Sequence, residues 1–330
     1  MTRVLTHLPA CLLASGDKRI LATLAQESQS VARQTNVGAT FWKRIKKTWP
    51  GYLFISPAVL LISVFSYIAI GFSLYISFHE YDIITDVRPF VGLENYTRAL
   101  ADELVGIGFW NTILYVIVIV PAITIVSLFL AVLGNQARVG RSFFRTIFFI
   151  PTITPGVVTA MLWVWLFEPT GGVNRLLKLV GISGPNWLFD PNTALPAVML
   201  MTIWGAVGYY MIIFLAGLAE IPQVFYEAAK VDGANSRHTF WHITLPLLRN
   251  SMIFVVVTLT IAAFQVFTQV YIMTRGGPAN ATQTVQMVVY RYAFSNFEMG
   301  YASAISWLLF GIIFLFSALQ LKLFISRELY

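Results

Sequence analysis

The sequence predicts an all-α membrane protein with six transmembrane helices and one long connection, between the fourth and fifth, that folds as a helix-turn-helix. Three observations carry this reading. Of the 330 residues, 57% are hydrophobic and only 11% are charged, against roughly 25% charged in a soluble domain. Mean hydropathy is +0.72. The charges are also segregated: cutting the chain at every Asp, Glu, Lys and Arg leaves six charge-free runs longer than 20 residues, 48–79, 104–137, 146–167, 191–219, 250–274 and 299–321. Each run can hold the ~20 apolar residues a helix needs to cross a bilayer. None shows the ~10-residue alternation of a barrel strand.

The expected helices are 52–78, 109–133, 147–167, 194–218, 251–273 and 301–321. They divide the chain into a tail (1–49), a first transmembrane helix (50–79), a core (105–321) containing the connection 219–250, and a second tail (322–330). Lys43, Arg44, Lys46 and Lys47 directly precede the first helix. With the N-terminus inside, the inner segments hold 16 Lys and Arg and the outer loops 6. Basic residues gather on the cytoplasmic side, so both termini are expected in the cytoplasm. The net charge of +7 is then mostly a topology signal and an attraction to anionic membrane lipid; no nucleic-acid partner is expected. Residues 4–14 are apolar, but cleaving a signal peptide there would export the basic cluster, so an uncleaved cytoplasmic tail, or a start codon placed too far upstream, is expected. A single cysteine, Cys11, excludes an intrachain disulfide. In the third helix, Pro151 and Pro155 bend or begin it, and Trp163 and Trp165 read as packing or interface anchors. The stretch 276–290 opens Gly276-Gly277-Pro278 and reads as a loop leading into a short helix on the outer surface.

No Lys, Arg, Asp or Glu lies inside any expected helix. A proton-driven carrier needs an intramembrane ionisable group, so this class is disfavoured. A stand-alone sodium-coupled transporter, which can hold its ion with backbone carbonyls, is the alternative. The four histidines, His7, His79, His238 and His242, lie in tails and loops. His238 and His242 are spaced i, i+4 but lack the intervening glutamate of a zinc-protease helix. No metal or other cofactor is expected. No paired carboxylates or nucleophile–base set sits at membrane depth, so the chain is not read as an enzyme. It also lacks a G-x-x-x-x-G-K-[ST] phosphate loop, so any pumping must draw its energy from another subunit.

The connection 219–250 carries the strongest signal. Pro222 suits the first turn of a helix, residues 223–232 continue it, and Gly233 supplies a left-handed stop. Asn235 or Ser236 can cap a second short helix, and Ile243-Thr244-Leu245-Pro246 leads into the fifth span. The tip is expected to expose Ala228 and Ala229 beside Glu227 and Asp232. Small side chains allow deep docking, and the acids offer charge-assisted pairing to arginines.

The spacing Glu227-Ala228-Ala229, three residues, Gly233, nine residues, Ile243, one residue, Leu245-Pro246 resembles the EAA loop of bacterial ABC importer permeases. Phe90–Tyr96 (FVGLENY), Phe144–Phe167, Gly184–Leu188 (GPNWL), Ile203–Leu218, Thr274–Pro278 (TRGGP) and Met299–Ala302 (MGYA) are similar to motifs of the carbohydrate-type permeases, the maltose and glycerol-phosphate group. The likeness covers residues 50–321. It implies the type I importer permease fold in a bacterial inner membrane. It also implies four kinds of partner: a second permease subunit, an ATP-binding-cassette ATPase dimer, an extracytoplasmic solute-binding protein and a sugar. The ATPase-coupling residues it marks are Glu227, Ala228, Ala229, Asp232, Gly233, Ile243, Leu245 and Pro246. On this basis Gly233→Asp, a side chain at a tight left-handed position, should loosen assembly more than Glu227→Ala.

The sugar path should be polar and aromatic at mid-membrane. In the fourth span Trp204, Tyr209 and Tyr210 stand out, and in the fifth Thr258, Gln265 and Gln269. The two glutamines, spaced i, i+4, share a helix face. They line a cavity or bond a partner helix. By resemblance, Tyr209 matches a sugar-contacting tyrosine of the maltose-type permease, while other contacts fall on Leu259, Ala263 and Val266. That permease has a large outer domain, whereas the first outer loop here is only 79–108, which argues against maltose itself. The outer loops hold 9 acids against 6 basic residues, which favours a neutral di- or oligosaccharide; a sugar phosphate or uronate stays open if the partner or binding protein supplies cations.

Overall fold

A computed structural model describes residues 37–82, 88–136 and 140–325; the expectations placed on residues 1–36 and 326–330 lie outside them. The described residues are helical throughout apart from turns and two isolated β-bridges. Contacts divide the chain into two compact units, one ending at Ile70 and one starting at Gly71.

The first unit holds α1 (Val37–Ile62) and a π-helical turn, Ser63–Ile68. Tyr52, Phe54, Ile62 and Phe65 are all exposed. An apolar surface all round is that of a helix solvated by lipid or by another chain.

α2 (Ala69–Ser77) crosses the boundary into the second unit. There follow α3 (Glu94–Ala101), α4 (Glu103–Gln136), α5 (Arg141–Ile153), α6 (Gly156–Leu166), α7 (Gly172–Leu179) and α8 (Pro191–Glu220). The helix-turn-helix is α9 (Gln223–Val231), α10 (Ser236–Thr239), a π-helical turn Phe240–Thr244, and α11 (Leu245–Leu247). Then come α12 (Arg249–Phe264), α13 (Thr268–Met273), α14 (Val285–Tyr290) with a π-helical turn Arg291–Ser295, and α15 (Met299–Ile325). α4 packs along α8, with α5 on α8, α12 on α4, and α15 on α12 and α14. Ile119, Ile123, Val198, Met211, Phe214, Val255 and Ile305 form the buried centre. Small residues set the closest approaches, as expected between membrane helices. A Cβ at Gly208 would lie 1.9 Å from the Phe148 carbonyl oxygen, and one at Gly217 would lie 2.3 Å from Ser251 Oγ.

Two expected spans are not single helices. The third is α5 and α6, bent by 96°. Thr154, ahead of Pro155, is extended (φ −74°, ψ 130°), as a residue before proline must be. The fifth breaks after Phe264: Gln265 sits at φ −97°, ψ 18° and Phe267 at φ −138°, ψ −61°. Thr284 Oγ1 donates to the freed Val266 carbonyl at 3.1 Å. Irregular backbone at membrane depth survives only with such replacement partners. The segment 276–290 is packed rather than superficial, for Thr282, Gln283, Thr284, Val285 and Val288 are buried.

At the end opposite the helix-turn-helix, the quoted motifs tie helix ends together. Asn95 donates from Nδ2 to the carbonyls of Ser77 and His79, both at 3.0 Å. Tyr96 and Ser77 share a hydroxyl bond of 2.7 Å. Asp102 caps α4, accepting from Leu104 N at 2.8 Å. It also accepts from Tyr292 at 2.6 Å and from Tyr301 at 2.9 Å. Arg98 pairs with Glu298 at 2.6 Å and stacks 4.0 Å over the Tyr301 ring. Burial works against the Asp102 carboxylate, but the two phenols and the amides of Leu104 and Val105 outweigh it and hold its pKa below the ordinary value. Burial and the same carboxylate push the Tyr292 hydroxyl up to about 12. For Arg98, burial lowers and the bond and charge of Glu298 raise; the net is upward.

Candidate functional site

Two sites emerge: the helix-turn-helix hairpin and a cavity at the break in the fifth span. α9 begins after Pro222 and ends in a Schellman motif, with Ala234 N donating to Ala229 O at 2.8 Å and Gly233 N to Lys230 O at 3.1 Å. Gly233, at φ +75°, supplies the left-handed residue this stop requires. Asn235 then caps the next helix, its Oδ1 accepting from His238 N at 2.8 Å. The two caps are only two residues apart. Tyr226 and Thr244 hydroxyls, 3.2 Å apart, join the two arms, and Phe240 and Leu245 pack onto the core. The π-helical turn 240–244 falls where the Pro246 ring would otherwise press on the 242 carbonyl. At Leu248 the chain bends 67° into α12.

Glu227, Ala228, Asp232, Gly233 and Pro246 are exposed, and Ile243 and Leu245 half-buried. Ala229 is buried, which corrects the expectation that it sits on the exposed tip: it lies on the inner side of α9. The exposed face instead presents Val224, Phe225 and Val231, the last 88% exposed, with Ala228 between them. Val224, Ala228 and Val231 stand at i, i+4 and i+7, one apolar stripe. A Cβ at Gly233 would meet nothing within 4 Å, so that position is left-handed but not tight. Its substitution cost is conformational, and aspartate is among the residues that bear it best. His238 and His242 stack with ring centroids 3.9 Å apart. No metal-holding group of three or more His, Cys, Asp or Glu occurs among the described residues.

The cavity, about 240 Å³, is lined by Tyr115, Ile119, Ile123, Thr202, Ala206, Tyr210, Leu259, Ala262, Ala263 and the broken stretch Gln265–Gln269. Tyr115 donates to Thr202 Oγ1 at 2.8 Å. Of the expected path residues, Tyr210, Gln265 and Gln269 meet here, with Leu259, Ala263 and Val266. The glutamines do so because the helix breaks between them, not because they share a helix face. Gln265 also lines a groove of about 360 Å³ with Gln286, Ser306 and Ser317. Trp204, Tyr209 and Thr258 line neither. Trp204 meets Trp163 edge-on at 5.8 Å and is 42% exposed; Tyr209 meets Tyr210 edge-on at 5.1 Å and is 48% exposed. Thr258 donates to its own helix at Phe254 O, 2.6 Å. Tyr115, Thr202 and Thr268 were missed; Tyr115 and Thr202 were legible only as polar residues within spans.

Membrane-length helices, a helix-turn-helix hairpin and a polar cavity at a helix break are the parts of a membrane transport subunit. Residues 123–325 match the family model described as binding-protein-dependent transport system inner membrane component. The probable ABC transporter permease protein YesP of Bacillus subtilis is 38% identical over 84% of this chain and 91% of its own length. The trehalose/maltose permease MalF of Thermococcus litoralis is 34% identical, over 82% and 92% respectively. The lactose permease LacF of Rhizobium radiobacter is also 34% identical, over 82% and 92%. A bacterial ABC transporter involved in import of the acidic polysaccharide alginate contains a chain with TM-score 0.77 at 21% identity, covering 88% of this chain and 99% of that one. This last likeness speaks for the fold. The chain belongs to the binding-protein-dependent transport system inner membrane component family. It is a permease subunit of an ABC importer, with ATP hydrolysis on a separate subunit.

Proposed function

We propose that this chain is one half of a heterodimeric permease that takes a di- or oligosaccharide from an extracytoplasmic binding protein and passes it inward when an ATPase dimer moves the α9–α11 hairpin. The hairpin and both termini face the cytoplasm, and the Asp102 end faces the binding protein. The named substrates of the Thermococcus and Rhizobium relatives, both disaccharides, support the substrate class. Glu227, Ala228, Asp232 and Gly233 belong to the docking surface with Val224 and Val231. Ala229, Ile243, Leu245 and Pro246 hold that surface in shape.

The observation that carries this reading is the exposed apolar stripe on a helix whose C-terminal end is closed by a Schellman motif. A cleft of about 810 Å³ between the hairpin and the ends of α4 and α8 gives it room to tilt. Tilt passes through the bend at Leu248 into α12, whose far end carries Leu259, Ala263 and Gln265 in the cavity wall. The close packing of Gly217 against Ser251 is the fulcrum between α8 and α12. At about 240 Å³ the cavity is smaller than the ~300–1,000 Å³ of a complete small-molecule site. The second permease supplies the remainder, and exposed Trp204 and Tyr209 face it.

Val231→Asp tests the docking. On a free surface it changes stability by less than ~0.5 kcal/mol. In a docked interface it buries an unpaired carboxylate, worth ~3 kcal/mol or more. ATPase co-purifying with the permease should fall by more than about tenfold, and uptake with it. Unchanged co-purification and unchanged uptake would overturn the assignment.

A further inference from the structure

We propose a second sugar subsite at the Asp102 end, built to hold an anionic group such as a uronate carboxylate. It rests on the reading of this chain as a sugar permease and narrows the substrate class.

A cavity of about 400 Å³ opens there, lined by Tyr271, Arg275, Asn280, Gln283, Tyr290 and Arg291 among others, with no carboxylate in its wall. Arg98 is paired with Glu298, but neither Arg275 nor Arg291 has a side-chain partner among the described residues. Both side chains line the same cavity, and a carboxylate held there gains charge-assisted hydrogen bonds from guanidiniums. The excess of acid summed over the outer loops conceals this local positive patch.

The frame is preorganised. Asn111 Nδ2 donates to the carbonyls of Asn280 and Gln283, both at 3.0 Å. Thr282 Oγ1 donates to Gly277 O at 2.8 Å. Arg275, Ala279 and Asn280 hold left-handed backbone at φ 52°, 46° and 60°. Asn280 adopts this conformation readily, but Arg275 and Ala279 are strained by it, and strain of this kind gathers at ligand clamps.

An aromatic ladder joins this pocket to the mid-span cavity. Phe267, in the wall of that cavity, stacks on Tyr271 at 5.2 Å. Tyr271 meets Tyr290 at 5.2 Å, and Tyr290 meets the exposed Phe294 at 5.2 Å. Sugar rings lay their C–H faces on aromatic rings. The arginines hold the acid group at the mouth while the neighbouring sugar steps onto the ladder.

The test uses the assembled transporter in nanodiscs. Phenylglyoxal modifies free guanidiniums, and peptide mass spectrometry reads Arg275 and Arg291 separately. Cellobiouronic acid and cellobiose differ only by the carboxylate. A site of millimolar affinity is about nine-tenths filled at ~10 mM probe, so the acid should slow labelling of both arginines about tenfold. Cellobiose should leave the rate unchanged, and Arg291→Gln should remove the acid's protection of Arg275. Unslowed labelling with the acid overturns the proposal, as does equal protection by cellobiose. Protection by the binding protein but not by the acid also overturns it, since the patch is then a protein-docking surface. The readout needs no transport, so failure of the subsite (unprotected arginines in a transporter that takes up sugar) is distinguished from failure of the sugar-permease reading (no sugar uptake), on which the subsite rests.

Discussion

Asp102→Ala removes, in one step, the cap of α4 and the acceptor of two tyrosines. The lost cap costs ~1 kcal/mol. Each phenol-to-carboxylate bond, at 2.6 and 2.9 Å, is of a type worth ~1.5–3 kcal/mol. Halving for partial solvent access leaves ~1 kcal/mol apiece, so the total is ~3 kcal/mol. Asp102→Asn keeps a capping oxygen and should cost only ~1 kcal/mol. Equilibrium unfolding of the purified chain in mixed detergent micelles measures both. The latch should also respond to pH at both ends. Asp102 is held below its ordinary 3.8, so its contribution is present above that value and is lost as pH falls through the lowered one. Tyr292 is raised from 10.0 to about 12, so its contribution is present below 10.0 and is lost as pH rises through about 12. The Ala variant should flatten both limbs. An Ala variant within ~0.5 kcal/mol of the parent, or unchanged limbs, would refute the latch.

Gly208→Ala places a methyl 1.9 Å from the Phe148 carbonyl oxygen, a backbone atom that cannot turn away; overpacking of ~1–3 kcal/mol should lower the unfolding midpoint. Gly205→Ala, with nothing within 4 Å, is its control. Thr284→Val strands the Val266 carbonyl and should destabilise by ~1–3 kcal/mol, while Thr284→Ser should recover most of it in the same assay. Tyr115→Phe removes the 2.8 Å bond to Thr202, worth ~0.6 kcal/mol on average between membrane helices. The same unfolding assay should show a loss of that size, with ATPase co-purification unchanged.

The all-helical membrane fold and the hairpin design were legible because they follow from local chemistry. A charge-free run must find lipid, Gly233 must stop α9, and Asn235 must start the next helix. Pro155 likewise announced the break in the third span. The break in the fifth did not, because no proline or glycine lies between Phe264 and Thr268. It depends on Thr284, 18 residues downstream, and no window of local sequence contains that partner. The burial of Ala229 was hidden for a related reason: which side of α9 faces inward is decided by Tyr226 reaching Thr244. The cavity was half legible. Glutamines in a span point to a polar site, but Tyr115 and Thr202 become wall residues only when α4 packs on α8.

The stop of α9 at Gly233 and the start of α10 at Asn235 follow each other with only Ala234 between them, and the amides of Gly233, Ala234 and His238 are all engaged in the two caps. Such a corner has no slack to take up. A push on one arm arrives at the other undiminished, as in a crank cut from a single piece of metal. The reach of the stroke inside the bilayer is then a matter of lever length, and inserting even one flexible residue between Asp232 and Asn235 would turn the crank into a string.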